Sequence, residues 1–234
     1  MCGRITVRTS ASDLQRAFEL TSIEGVELRP RFNLAPTQPV PVVTNSGERK
    51  LELYRWGLVP AWAKDVKIGN NLINARSDTV AEKPSFRSAF KKRRCLMLVD
   101  GFYEWRTDAD GKTPFHIHRK DGQPFAVAAL WEEWKTPEGQ PLRTCAIITT
   151  GPNAVMTPIH DRMPVILSKQ GQALWLQPGE VKAEELMPLL VPYQPDELQA
   201  FEVSRVVNST RNDRPECIVP VQVPSPQLVQ RVLL

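Results

Sequence analysis

Short runs of Val, Ile, Leu and aromatic residues, each bounded by Pro, Gly or Asn, recur along the chain from residue 40 onward. They predict strands at Val40–Val43, Leu51–Leu58, Cys95–Trp105, Thr113–His118, Phe125–Trp134, Thr144–Thr149, Pro164–Leu167 and Ala200–Val206. The period changes to that of a helix in a few places. Ser12–Leu20 puts Leu14, Ala17 and Phe18 on one face, with Ser12 and Gln15 spaced as a capping box. Glu82–Arg93 groups Phe86, Ala89 and Phe90, and Lys169–Leu176 follows a capping Ser168. Helices are also expected at Glu180–Leu190 and in the tail at Pro226–Leu234. Strands outnumber helices and do not alternate with them as βαβ units. The expected fold is therefore α+β, with mostly antiparallel sheets forming a barrel-like core and the helices peripheral.

Length and composition narrow this picture. A chain of 234 residues suits a single domain over residues 1–234, with 219–234 as a C-terminal tail. The 21 prolines are spread throughout, which implies many irregular connections and no single linker. No apolar run approaches the roughly 18 residues of a membrane span, and no apolar stretch follows the first basic residues as in a secretory signal. A cytoplasmic protein with no membrane contact is expected. The four cysteines, Cys2, Cys95, Cys145 and Cys217, form no C-x-x-C pair, so neither a metal site nor any cofactor is expected. Cys95 and Cys145 sit in apolar runs and read as buried packing residues. The net charge of +4 is compatible with a nucleic-acid partner without requiring one.

Candidate chemistry begins at Cys2. Aminopeptidases remove an initiator Met when the second residue is small, which would leave Cys2 as a 1,2-aminothiol. Its amine and thiol have ordinary pKa values of about 8 and about 8.5, so both nucleophilic forms are accessible near neutrality. One use is capture of an aldehyde as an imine that the thiol closes into a thiazolidine. Another is attack of the thiolate on an amide carbonyl with the amine as base, as in N-terminal-nucleophile amidases. Both remain open at the level of the residues, as does a binding module in which Cys2 is incidental. Glu104 lies between aromatics in Asp100–Trp105 (DGFYEW), a setting that raises a carboxyl pKa toward a useful acid/base. His160 sits in a polar turn, flanked by Asp161 and Arg162, whereas His116 and His118 alternate along a strand and read as structural. The segment 70–78, rich in Asn and Arg and following Trp56 and Trp62, has the residue types for phosphate contact and base stacking. The basic run Lys91–Arg94 reads as solvated surface.

Seven blocks occur in order: MCGR at the start, Arg31–Pro36 (RFNLAP), Arg55–Pro60 (RWGLVP), Ile73–Arg76 (INAR), Asp100–Trp105, Ile159–Pro164 (IHDRMP) and Val203–Arg205 (VSR). Together they resemble the SOS-response-associated peptidase (SRAP) family of abasic-site processing proteins. The resemblance implies that mature Cys2 crosslinks to the ring-opened aldehyde of an abasic site in single-stranded DNA. It implies roles for Asn74 in orienting the substrate or N-terminus, Glu104 in proton transfer, and His160 as acid/base in opening the deoxyribose. It further implies DNA contacts by Arg4, Arg76 and Arg162. Of the family's Trp-Trp wedge, Pro60–Ala63 (PAWA) keeps only Trp62. Phe86 and Arg87 are weaker DNA candidates. The expected protein is a monomer acting without metal or cofactor; the alternative is a thiol-dependent peptidase or self-processing amidase.

Overall fold

The structure, a computed structural model, describes residues 2–221. Two sheets form its framework. The first has the order β12 (Leu198–Glu202), β8 (Gly111–Arg119), β7 (Gly101–Asp108), β1 (Ile5–Val7) and β2 (Arg31–Leu34). The second joins β4 (Leu51–Trp56), β3 (Pro39–Thr44), β6 (Arg94–Val99), β9 (Phe125–Lys135) and β10 (Pro141–Thr150). Because β10 pairs with both β9 and β4, these five strands close into a barrel. Short strands β5 (Asn74–Arg76) and β11 (Met163–Pro164) extend it by pairing with the far end of β10. Strands β4 and β5 run parallel to β10, and every other named pairing is antiparallel. The expected α+β class with a barrel core is the observed one.

Strands β3 and β6, and the central parts of β9 and β10, are apolar at consecutive positions because both of their faces are buried there. On β6, Leu96 and Leu98 pack with Leu14 and Phe18 of helix α1 (Ala11–Phe18), Phe90 of α2 (Arg87–Lys92) and Trp175 of α3 (Lys169–Trp175). Cys95, Met97 and Val99 point the other way and pack with Ile5, Val7, Leu34, Phe102 and Ile117 of the first sheet. The two-residue repeat of a strand thus serves two cores at once. Cys95 and Cys145 are fully buried, and burial drives both thiol pKa values upward.

Several expected elements differ in extent. The run Cys95–Trp105 is two strands in two different sheets, broken at Asp100. Its carboxylate accepts from Arg8 N, Thr9 N and Thr9 Oγ1, which tears the backbone out of the barrel ladder. Gly101 then fits where a Cβ would lie 2.5 Å from His116 Nε2. Pro84 restricts Lys83 to non-helical backbone, so only Arg87–Lys92 of the expected Glu82–Arg93 is α-helix. In Glu180–Leu190 the α-turns are confined to α4 (Ala183–Leu186), and Pro188 follows in a 3-10 turn. The first helix is capped by Ser10 instead of Ser12, and Glu19 ends it in the left-handed region. Gly57, at φ 120°, ends β4, and a Cβ there would lie 2.6 Å from Gly69 O. Strands β1, β2 and β5 were not expected. In the run Lys91–Arg94, Arg94 is buried instead of solvated, donating to the carbonyls of Trp175, Phe90, Lys91, Gln177 and Gly179. The expected helix at Pro226–Leu234 lies outside the described residues.

Among the described residues, no helix is long and apolar enough to cross a membrane. No group of three or more His, Cys, Asp or Glu among them is arranged to hold a metal ion.

Candidate active site around Cys2

Four separate segments converge next to the first strand. Cys2 lies just ahead of β1, and the pairing of β1 with β7 is continued by a bond from Tyr103 N to Arg4 O. This brings Glu104, the next residue of β7, toward Cys2. Asn74 opens β5 and is fixed in register opposite Ile147 of β10. His160 ends a turn held by Asn153, whose side-chain Oδ1 accepts from Met156 N while its carbonyl accepts from Thr157 N.

Cys2 is 1% exposed, and its Sγ lies 3.9 Å from Arg4 O. Burial raises the thiol pKa, and the negative charge of Glu104 raises it further. Asn74 Nδ2 donates to the Cys2 carbonyl at 2.8 Å, while its buried Oδ1 has no hydrogen-bond partner among the described residues. Glu104 is 2% exposed, and burial pushes its carboxyl up to about 7. His160 Nε2 stands 3.8 Å from Glu104 Oε2. His160 Nδ1 lies 3.0 Å from the Arg162 backbone N and 2.9 Å from Asp161 Oδ1, while Nε2 faces Glu104. Burial lowers the His160 pKa, which favours the neutral imidazole. A thiol, a carboxyl pushed up toward neutrality and a neutral imidazole therefore share one site, with an amide on the Cys2 carbonyl. Such a set can supply a nucleophile and groups for proton transfer.

A cavity of about 460 Å³ adjoins these groups, lined by Arg4, Glu104, Trp105, Thr107, Lys112, His160 and Asn208. Arg4 is firmly tied, donating to Asn33 Oδ1 at 2.6 Å, Val207 O at 2.8 Å and Asn208 O at 3.4 Å, with its guanidinium 5.6 Å from the Trp105 ring centre. Trp105 Nε1 donates to Asn208 Oδ1. Asn33 Nδ2 reaches the carbonyls of Val207, Ser209 and Asn212, so the buried Asn33 ties β2 to the 3-10 turn Arg205–Asn208. Asn33, Trp105, Lys112 and Asn208 were not singled out from the sequence. Asn33 and Trp105 lie inside recognised blocks and Asn208 follows one, but their contacts arise only when distant segments meet.

Arg76 and Arg162 form a second group beside His160. Arg162 Nη2 donates to Thr149 O at 2.6 Å, and Arg76 makes two contacts with Asp78 at 3.0 and 3.3 Å. Trp62 lies on a different loop and is 61% exposed, outside the residues that line the cavity. Phe86 is buried at the start of α2, in the apolar core with α1 and α3.

Residues 1–210 match the family model described as SOS response associated peptidase (SRAP). The chain belongs to the SRAP family. It is 46% identical over 222 residues to abasic site processing protein YoqW of Bacillus subtilis, covering 93% of this chain and 99% of that protein. It is 34% identical over 274 residues to abasic site processing protein HMCES of Gallus gallus, covering 98% of this chain and 81% of the other. Among solved structures, a protein from Bacteroides thetaiotaomicron superposes with a TM-score of 0.83 at 26% identity, covering 94% of this chain and all of the other. The SRAP fold accordingly carries the Cys2 cluster described above, and the ordered blocks of the sequence fall on the elements that build it.

Proposed function

We propose that this SRAP protein recognises abasic sites in single-stranded DNA and captures them covalently through Cys2 once Met1 has been removed. The Cys2 amine attacks the aldehyde carbon of the ring-opened deoxyribose, and the resulting carbinolamine expels water to give an imine. The thiol then adds to the imine carbon. A C–S bond forms, the proton leaves sulfur, and a proton ends on the ring nitrogen. The balance is two new bonds to one carbon and one water released.

The raised thiol pKa supports this order, because a thiol held in its protonated form is a poor first nucleophile. It needs a base at the second step. Glu104, with a carboxyl pKa of about 7, populates both forms near neutrality, so it can protonate the departing hydroxyl and then take the thiol proton. Asn74 holds the Cys2 carbonyl, and its buried Oδ1 offers an acceptor to the new amine or to a sugar hydroxyl. His160, whose Nε2 faces Glu104, acts as acid/base in opening the deoxyribose ring. Arg76 and Arg162 contact backbone phosphates as charge-assisted donors, and exposed Trp62 stacks on a neighbouring base. Arg4, anchored to three acceptors, presents a fixed positive charge at the cavity.

The observation that carries the reading is the buried, near-neutral Glu104 placed against a thiol whose backbone is held by Asn74. The test is a denaturing gel of mature protein incubated with a single-stranded oligonucleotide bearing one abasic site. A slow band is expected with wild type and absent with Cys2→Ala or with undamaged DNA. Absence of the band in wild type shown to lack Met1 overturns the reading and turns attention to peptide substrates.

A further inference from the structure

Asp78 plays no part in the chemistry above, yet it is gripped by both arginines assigned to phosphate. Arg76 Nε and Nη2 face its two carboxylate oxygens at 3.3 and 3.0 Å. Arg162 Nη2 lies 3.6 Å from Oδ1. A planar anion shared by two guanidinium groups is the arrangement by which proteins hold a phosphate.

The backbone sets this arrangement. Arg76 is opposite Thr149 in the β5–β10 register, and the Thr149 carbonyl accepts from both Ser77 N at 2.8 Å and Arg162 Nη2 at 2.6 Å. Thr79 N then donates to Arg76 O at 3.1 Å, closing the turn that carries Asp78 back toward the arginines. The arginines differ in freedom. Arg162 is 12% exposed and tied to the strand, whereas Asp78 and Arg76 are about half exposed, at 49% and 58%. An exposed ion pair is weakly held and readily exchanged. The carboxylate can rotate into solvent while Arg162 stays in place.

We propose that Asp78 is an internal competitor for the DNA phosphate: its carboxylate occupies the anion position between Arg76 and Arg162 in the free protein and leaves when a backbone phosphate arrives. This rests on the DNA-capture reading and adds a specificity function to it. Every undamaged stretch of single strand offers phosphates, so a resident anion shortens non-covalent residence on all of them alike. A lesion is retained regardless, because its bond to Cys2 does not dissociate with the phosphate contact. Asp78 thereby biases the protein toward retention at abasic sites.

The test measures binding of undamaged, fluorescently labelled single-stranded oligonucleotide by anisotropy for wild type, Asp78→Asn, Asp78→Glu and Arg76→Gln, with Asp78→Asn also made in the Arg76→Gln background. Thermal melts confirm that each variant folds. Asp78→Asn is expected to bind roughly two- to fivefold more tightly than wild type, the range expected when one weak exposed pair no longer competes. Its affinity should fall more steeply with salt, by up to about 0.7 in the log–log slope. Asp78→Glu should stay near wild type, and the gain from Asp78→Asn should shrink to less than half in the Arg76→Gln background. Unchanged or weaker binding by Asp78→Asn would mean that Asp78 only props the arginines, and the proposal fails. An equal gain in both backgrounds would reduce the effect to general surface charge and overturn it as well. These outcomes are separable from the capture reading: wild type that crosslinks abasic DNA while Asp78→Asn binds no more tightly rejects the competitor alone. If none of the proteins binds single-stranded DNA, both ideas fall.

Discussion

Replacing Glu104 by Gln removes a charge while keeping the shape, and its effect on stability follows from burial. The carboxyl is raised from 4.5 to about 7 because the ionised form is desolvated. At about 1.4 kcal/mol per pH unit, the native state therefore loses about 3 kcal/mol as the group is forced to ionise. The sign is fixed by which state holds the proton more tightly. Folded protein binds it more tightly, so this contribution is fully present below pH 4.5 and is lost as pH rises through about 7. Gln carries no such titration. The stability of Glu104→Gln relative to wild type should rise by about 3 kcal/mol between pH 4.5 and 8, or roughly 6–12 °C in melting temperature for a chain of this size. Paired thermal melts in a buffer series measure the difference, and pH effects common to both proteins cancel. In the same variant, abasic-site crosslinking should slow by roughly 100-fold or more, and the pH dependence of its rate near 7 should disappear. A stability difference that stays flat across this pH range would refute the claim that Glu104 is held as a near-neutral acid.

Other substitutions probe the scaffold and the rim. Arg94→Met leaves several buried carbonyls without a donor and should cost at least ~2 kcal/mol, lowering the melting temperature by about 4–8 °C, which calorimetry would register. Gly101→Ala drives a methyl group to 2.5 Å from His116 Nε2 and 2.8 Å from Ile117 O, so it should destabilise by about 1–3 kcal/mol in a urea titration. Trp62→Ala should weaken single-strand binding by roughly tenfold, the loss of one stacked base. Its crosslinking yield at saturating protein should match wild type, because Trp62 lies outside the cavity by Glu104 and His160.

How much of the molecule was legible in the sequence depended on the length and regularity of each element. Strands β3, β9 and β10 are long apolar runs ended by turn residues, and their expected spans fall inside the observed ones. Strands β1 and β5 have three residues each, too few for a period to show against polar neighbours. The division of Cys95–Trp105 between two sheets was hidden because apolar residues continue on both sides of Asp100. What breaks the run is a set of hydrogen bonds to Arg8 and Thr9, more than 90 positions away in sequence. The site divides along the same line. Cys2, Glu104 and His160 stand out by intrinsic chemistry and local setting, and the fold brings them together with Asn74. Asn33 sits in one of the ordered blocks and Asp78 closes the Asn- and Arg-rich stretch 70–78, yet neither side chain stands out by its own chemistry. Their importance comes from partners contributed by other segments, as when Asn33 gathers three carbonyls between residues 207 and 212.

The central claim is a bond between Cys2 and the lesion, and intact-mass analysis of the reaction between Met1-free protein and an abasic single-stranded oligonucleotide tests it most directly. The account predicts an adduct equal to protein plus DNA minus one water, stable to denaturation without a reducing agent, whose peptide fragments place the modification on Cys2. An adduct on a lysine such as Lys112, or one that survives only after borohydride trapping, would contradict it.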